Sequence, residues 1–564
     1  MDFKAELVKL LVKETKLKKE EITNLISVPP NAKMGDYAFP CFILGKNPKE
    51  EAEKLKKKIK LPKSFSKAEV IGPYLNFFVN NTLFVEETLT KIAKEKKNYG
   101  KGKEKQNIVI EFCGPNTNKP LHLGHVRNMA LGDSVRRIIS AQGHKVHPVN
   151  IINDRGIHIC QSMLAYQKWG KEKQPDKKGD HFVGDYYVLF SKKAKENEDL
   201  KKEAQDLLFK WEQGDKETIK LWKAMNSWVL NGFKETYQRF GIKFDKEYAE
   251  SGYYNEGKEL ALEGLKKKVF EKDENGAIIA PLEKYKIPNK VILRADGTSI
   301  YITQDMYLAD LRYKDFKYDK LIYVVASEQN NHFQQLFKIL ELLKKPYAKN
   351  LFHLSYGLVN LPSGRMKSRE GTVVDADDIM DEVSLLAEKE IKKRHTHLTK
   401  EEIKSRSEMI SLGAIKFFML KTDASRDMIF NPEDSLSFEG ETGPYVQYTH
   451  ARSCSILRKA KDMKKSVSSK VNFESINLEE ELAVVKLLYQ FPGILVKAAE
   501  TYRPHQLTQY LISLSQAFNE FYHKCPVISE MEQQMNSRLL LVDSVRQVLE
   551  NGLELLGIKA PAEM

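Results

Sequence analysis

A chain of 564 residues with 41% hydrophobic and 10% aromatic side chains can fill several cores, and at about 150 residues per domain it has room for roughly three to four domains. Lys and Arg outnumber Asp and Glu by 91 to 77, a formal net charge of +14. That surplus suits a polyanionic partner, because phosphate contacts release condensed counterions, and it suits equally a Lys-rich, solvated surface. Five scattered cysteines (Cys41, Cys113, Cys160, Cys454, Cys525) with no C-x-x-C pair exclude a disulfide framework and a Cys-rich zinc site. No run of eighteen apolar residues occurs, so no membrane span is expected.

The opening segment, MDFKAELVKLLVKETKLKKEE, places Phe3, Leu7, Leu10 and Leu11 at helical spacing between charges. It reads as an amphipathic helix and not as a signal peptide, and a reducing cytoplasm is the expected location. The turn-rich VPPNAKMGDYAFP, the Lys-rich helix PKEEAEKLKKKI and a short strand at YLNFFV complete the first hundred residues, which end in the polar linker KEKKNYGKGKEKQ (94–106). NIVIEF (107–112) is a continuous apolar run, the mark of a buried parallel strand. The loop GPNTNKP follows, then a helix through HVRNMALGDSVRRIISAQG with Gly143 as its C-cap, then a strand at KVHPVNIIN (145–153).

Residues 157–300 read as largely helical and highly charged, with Trp169, Trp211, Trp222 and Trp228 among them. A second α/β stretch runs through the strand KLIYVVA (320–326), the helix HFQQLFKILELL and the strand LFHLSYGLVNL (351–361). After about 380 the chain reads as helical to its end. A parallel sheet interrupted by an insertion is the simplest account, an α/β fold of Rossmann type.

The chemistry concentrates at His122-Leu123-Gly124-His125, where the loop after the first apolar strand enters a helix. Helix N-termini direct unpaired N–H groups outward and attract anions. Two imidazoles there can donate to phosphate oxygens, and the glycine between them lets a nucleotide approach the backbone. The plainer reading is a pair of histidines capping the helix.

The neighbourhood of that tetrapeptide is similar to class I aminoacyl-tRNA synthetases, in which H-x-G-H binds ATP and a second signature, KMSKS, lies far downstream. GRMKSREGTVV (364–374) resembles that signature loosely, with Met366, Lys367, Ser368 and Arg369 present and the second lysine displaced. VIEFCGPNTNKPLHLGHVRN (109–128) resembles the arginyl-tRNA synthetase family stretch V-E-x-S-S-P-N-x-x-K-P-x-H-x-G-H-x-R, with Gly114 where the family usually has Ser. INDRG (152–156) matches a strand-end motif of that family, with His158 in place of the usual Gln. GTSIYITQDMYLADLRY (297–313), KEYAES around Glu250 and VVASEQNNHF around Gln329 and His332 match further family segments. GPYVQYTHARSCSILRKA (443–460) and the chain's ending resemble the family's C-terminal half, and GDYAFP with GPYLNFFVN its N-terminal extension.

The resemblance implies an arginine–tRNA ligase that forms arginyl-adenylate from arginine and ATP and transfers it to the terminal ribose of tRNA. Mg²⁺ would arrive with ATP, and no tightly bound metal or organic cofactor is expected. ATP would be held by His122, Gly124, His125 and His332 with Met366, Lys367 and Ser368, while Lys119 or Arg369 replaces the missing lysine. Arginine would be held by Gly114, Pro115, Asn116, His125, Glu250, Tyr301, Asp305 and Gln329. Carboxylates and flat rings are the right partners for a planar, always-charged guanidinium. Tyr445, Tyr448, Arg452, Arg458 and Lys459 would meet tRNA through stacking and phosphate contacts.

The implied fold is a Rossmann-type parallel-sheet catalytic domain with insertions (101–380, the insertions within 157–300), an N-terminal α+β domain contacting tRNA (1–100) and a C-terminal α-helical bundle binding the anticodon (381–564). A monomer is expected. In this family adenylate formation generally requires bound tRNA. A nucleotidyltransferase acting on another substrate could share H-x-G-H but would not need the basic helical C-terminal half. An RNA-binding paralogue without activity would have lost the histidines or the acidic pocket residues. A glutamate-type enzyme would need a cation where Glu250 and Asp305 stand.

Overall fold

The computed structural model describes residues 3–362, 374–465 and 471–564. Two compact units emerge: Met1–Tyr99 with Arg452–Phe491 and Ser513–Val548, and Gly100–Ala451 with Pro492–Ile512 and Leu549–Met564.

In the first unit the opening helix, Phe3–Thr15, buries Phe3, Leu7, Val8 and Leu11. Val8 takes the inward place expected of Leu10, which is half-buried, because a 3.6-residue period sets 3, 7, 8 and 11 on one stripe. A three-stranded antiparallel sheet has the order β1-β3-β2, with β1 (Tyr37–Pro40), β2 (Phe65–Ile71) and β3 (Tyr74–Val79). Phe3, Phe65, Phe77 and Phe84 fill its core.

The second unit holds a five-stranded parallel sheet of order β11-β10-β4-β5-β6. Its strands are β4 (Asn107–Glu111), β5 (Lys145–Ile152), β6 (Lys246–Ala249), β10 (Lys320–Ala326) and β11 (Leu351–Tyr356). β4 is central, and its run Ile108-Val109-Ile110 is fully buried, as an unbroken apolar strand requires. The chain leaves β4 toward β5 on one side and returns later to β10 on the other. Strand order therefore reverses at β4, and the crevice beyond its carboxyl end is where open α/β sheets bind ligands.

The insertion begins as expected, with helices Ile157–Trp169, Gly179–Glu196, Asp199–Glu212 and Lys216–Phe240. It then departs from the helical expectation. β6 joins the main sheet, and β7 (Glu271–Lys272), β8 (Ile278–Ala280) and β9 (Lys290–Leu293) form a small antiparallel sheet. Strands of two to four residues are too short to display an alternating pattern.

The strand expected over 351–361 is also divided. β11 stops at Tyr356, and β12 (Val359–Asn360) pairs instead with β13 (Met428–Ile429). Gly357 permits the close approach at the break: a Cβ there would lie 2.5 Å from the Arg426 carbonyl carbon. Beyond 374 the described chain is mainly helical, from Ala376–Arg394 to Glu532–Leu555. Among the described residues one helix, Glu479–Thr501, is long and apolar enough to cross a membrane, and Val484, Val485, Leu488, Phe491 and Leu495 on it are buried in the protein.

Candidate active site

An open cleft of about 1260 Å³ lies at the carboxyl ends of the parallel strands. Glu111 to Gly114 lead into it from β4, Asn153 from β5, Glu250 from β6, Ala326 from β10 and Tyr356 from β11. The chain turns sharply after β4 because Cys113 and Gly114 are both left-handed, at φ 85° and 63°. Two amides fix that turn: Cys113 N–H donates to Asn128 Oδ1 at 2.5 Å and Gly114 N–H to Asn150 Oδ1 at 2.9 Å. A Cβ at Gly114 would meet nothing within 4 Å, so it is the left-handed backbone and not a close neighbour that favours glycine where the family usually has Ser.

His122 caps the helix Leu123–Ala141. Its Nδ1 accepts from Gly124 N–H at 3.1 Å, and His125 Nδ1 accepts from His122 N–H at 3.1 Å. The capping reading is thus correct, and it has a chemical consequence. With each Nδ1 committed as an acceptor, each neutral ring carries its proton on Nε2 and presents a donor. Burial, assisted by the charge of Lys119, pushes the His122 pKa down to about 3. Burial, His122 and Lys119 push His125 well below the usual imidazole range. Both rings are therefore neutral donors at physiological pH, and their centroids lie 3.9 Å apart at the cleft.

The following residues, Arg127 and Asn128, were not singled out from the sequence. Arg127 is buried, and its guanidinium donates to the carbonyls of Gly357, Leu358, Ala424 and Arg426 at 2.6–3.2 Å. Asn128 Nδ2 donates to Val324 O at 2.8 Å and Tyr356 Oη at 3.0 Å. Together they brace the H-x-G-H turn against β10 and the end of β11.

On the acid side of the cleft, Glu250 follows β6 and Asp305 lies one turn after Tyr301 in the helix Tyr301–Phe316. Asp154, from the INDRG motif, holds the Glu250–Ser251 turn: Ser251 N–H and Oγ–H donate to its two carboxylate oxygens at 2.8 and 2.6 Å. Glu250 is 6% exposed, with Arg155 Nη1 3.6 Å from its Oε1. Burial, with Asp154 and Asp305 adding repulsion against the pull of Arg155, raises the Glu250 pKa to about 7. Arg155 is itself spread over other partners, since it bonds Glu212 at 2.7 Å and stacks over Tyr254 at 4.1 Å. Asp305 Oδ2 is 2.6 Å from His332 Nε2.

Tyr301 is 75% exposed, and Asn116 and Gln329 are exposed at the rim. Beneath them the buried Glu111 carboxylate is paired with the fully buried Arg312 guanidinium, which lies 5.3 Å from the Tyr248 ring and 5.6 Å from the Tyr323 ring. Glu111 is thereby neutralised inside the protein, and the other acids lining the cleft are Glu250, Asp305 and, exposed at the rim, Glu328.

The cleft therefore gathers His122, Gly124, His125, Gly114, Asn116, Glu250, Tyr301, Asp305, Gln329 and His332. Pro115 and Lys119 flank this set in the loop before His122, and the charge of Lys119 is felt by both histidines. Met366, Lys367, Ser368 and Arg369 lie outside the described residues. His158 lines the cleft with its Nδ1 3.1 Å from Gln161 Oε1. The helix Gly443–Asp462 carries half-buried Tyr445 and Tyr448, which belong to the second unit, and Arg452, Arg458 and Lys459, which belong to the first. Arg458 and Lys459 are exposed, whereas Arg452 donates to Asn519 Oδ1 at 2.9 Å.

The family model for the class I (R) tRNA synthetase catalytic domain matches residues 88–432. The chain belongs to the arginyl-tRNA synthetase family. The family's N-terminal domain model matches residues 2–79, and the DALR anticodon binding domain matches 446–564. An arginine–tRNA ligase of Treponema denticola is 45% identical over 551 residues, covering 94% of this chain and 93% of the relative. The Treponema pallidum enzyme of the same name is 43% identical over 553 residues, covering 95% and 94%. The solved arginyl-tRNA synthetase of Thermus thermophilus superposes with a TM-score of 0.84 at 27% identity, covering 100% of both chains. The arginyl-tRNA synthetase resemblance seen in the sequence and the α/β fold class it implied both hold.

Proposed function

We propose that this chain activates L-arginine with ATP and transfers it to the 3′-terminal ribose of tRNA for arginine, using the cleft at the carboxyl ends of β4, β5, β6 and β10. The observation that carries the assignment to residues is the meeting of two carboxylates, Glu250 and Asp305, with the neutral histidine pair in one crevice. The two acids lie on the side where a guanidinium would dock, with Tyr301 as a flat lid and Gln329 and Asn116 as rim donors and acceptors. The arginine carboxylate then attacks the α-phosphorus of ATP. The bond from that phosphorus to the β-phosphate bridging oxygen breaks, and pyrophosphate leaves.

His122 and His125 donate through Nε2–H to phosphate oxygens, and Lys119, with the 366–369 segment, balances the charge that builds there. Mg²⁺ enters with ATP as part of the substrate. The ribose hydroxyl of tRNA next attacks the activated carbonyl and releases AMP. No enzyme nucleophile is required, so catalysis is positioning and charge stabilisation. Tyr445, Tyr448, Arg452, Arg458 and Lys459 contact tRNA, and the protein works as a cytoplasmic monomer.

Aminoacylation of bulk tRNA with each of the twenty amino acids tests the substrate. Charging with arginine alone is expected, and charging with another amino acid but not arginine overturns the assignment. ATP–pyrophosphate exchange with and without tRNA separates this reaction from that of a nucleotidyltransferase acting on another substrate, which needs no tRNA.

A further inference from the structure

The first residues of the inserted helix Gly179–Glu196 meet the H-x-G-H turn in two places. Gly184 packs flush on the loop before His122, so closely that a Cβ would sit 2.8 Å from Pro120 Cδ and 3.6 Å from Lys119 Cα. One turn earlier, His181 Nδ1 is 3.5 Å from Asp375 and Nε2 is 3.0 Å from Asp377. Lys178 Nζ donates to Asp377 at 2.6 Å, to Thr236 Oγ1 at 2.5 Å and to the fully buried Asp180 carboxylate at 3.1 Å.

Asp375 and Asp377 belong to the segment that pairs with the turn. Leu123 N–H donates to Val374 O at 3.2 Å, Ala376 N–H donates to Leu121 O at 2.8 Å, and His122 and Asp375 form an antiparallel bridge. One helix end thus grips both sides of the backbone that carries His122. Although burial pushes the Asp377 pKa up, the hydrogen bonds from His181 and Lys178 hold it down at about 2, so this carboxylate is charged and committed. Asp180, His181 and Asp377 are close enough together to hold a metal ion, but the Lys178 ammonium already sits against both carboxylates and supplies the cation.

We propose that Lys178, His181, Gly184 and Asp377 are positioning residues for nucleotide binding: they fix the His122–His125 turn from behind without touching ATP. The inference rests on the reading that this turn holds ATP. The two acids proposed for the guanidinium hang on other elements, Glu250 after β6 and Asp305 on Tyr301–Phe316, and of the groups proposed for arginine only His125 sits on the turn, so loosening the turn weakens ATP binding more than arginine binding. A purely structural role would not separate the two.

The test uses tRNA-dependent ATP–pyrophosphate exchange on the full chain with His181→Ala, Gly184→Ala and Asp377→Asn. ATP KM is expected to rise about tenfold in each while arginine KM stays within about twofold. Equal rises in both, or an unchanged ATP KM in a folded variant, overturns the proposal. Asp377→Asn leaves Lys178 and Asp180 in a less balanced interior and is the variant most apt to misfold. His181→Gln, at a half-buried position, then decides: its ATP KM is expected to fall between those of the unaltered chain and His181→Ala, since its single amide replaces part of the imidazole's contacts, and no rise at all in either His181 variant overturns the proposal. His122→Asn is the control for the underlying reading. If it leaves ATP KM unchanged, the nucleotide assignment of the turn fails; if it raises ATP KM while the four variants do not, only the positioning role fails.

Discussion

Glu250 is the side chain whose charge the fold controls most usefully. Burial first, then the neighbouring carboxylates Asp154 and Asp305, raise its pKa to about 7, far above an ordinary glutamate. The folded state therefore holds this proton more tightly than the unfolded chain does. The resulting stabilisation of the free protein is fully present below pH 4.5 and is lost as pH rises through about 7, an effect on the order of 3 kcal/mol. A bound guanidinium reverses the preference, because it favours the carboxylate. Arginine affinity is expected to strengthen as pH rises through 7, and Glu250→Gln to weaken binding and flatten that profile in titration calorimetry. Asp305→Ala is expected to raise arginine KM by about tenfold or more and ATP KM much less, since the removed carboxylate would pair with the guanidinium and reach ATP only through its contact with His332. Equal effects on both substrates would mark Asp305 as a partner of His332 alone. Local motifs made His122, Gly124 and His125 legible in the sequence. Arg127 and Asn128 stand beside them in the same motif, yet apart from the bond between Asn128 and Cys113 their partners lie 196–299 residues away, and no local spacing reveals such contacts.

At the level of elements, the sequence revealed strands and helices where the apolar pattern is long. NIVIE and KLIYVVA are unbroken and became central strands β4 and β10. The brief strands β7, β8 and β9 escaped notice because two to four residues carry no period, and β6 escaped for the same reason despite joining the main sheet. The break between β11 and β12 sets Gly357 against main-chain atoms of Arg426, a contact invisible from the strand itself. Another close contact sets the seat of the helix Leu123–Ala141. A Cβ on Gly132 would fall 2.3 Å from Phe112 Cγ, so the helix that carries His125 lies directly on the end of β4. Gly132→Ala is expected to destabilise by about 1–3 kcal/mol through overpacking, read as a lower urea midpoint with unchanged slope. An unchanged midpoint would mean the helix can lift off without penalty.

For the molecule as a whole, the net charge of +14 has one exposed expression on the helix Gly443–Asp462, where Arg458 and Lys459 are solvent-facing. Replacing both with Gln is expected to weaken tRNA binding most at low salt and progressively less as salt rises, reducing the slope of log affinity against log salt by about 1.4–1.8. A parallel shift with no change of slope would place both side chains away from phosphate. The sheet order β11-β10-β4-β5-β6 has a further consequence for how the protein is made. When β4 and β5 leave the ribosome, the strand that must cover the other edge of β4 begins only at Lys320, far beyond Ile152 at the end of β5. During that interval an apolar edge with unpaired amides is exposed to any passing strand. The nascent chain is therefore most exposed to mispairing and chaperone capture while its helical insertion is being synthesised, and that window closes once Ala326 has emerged.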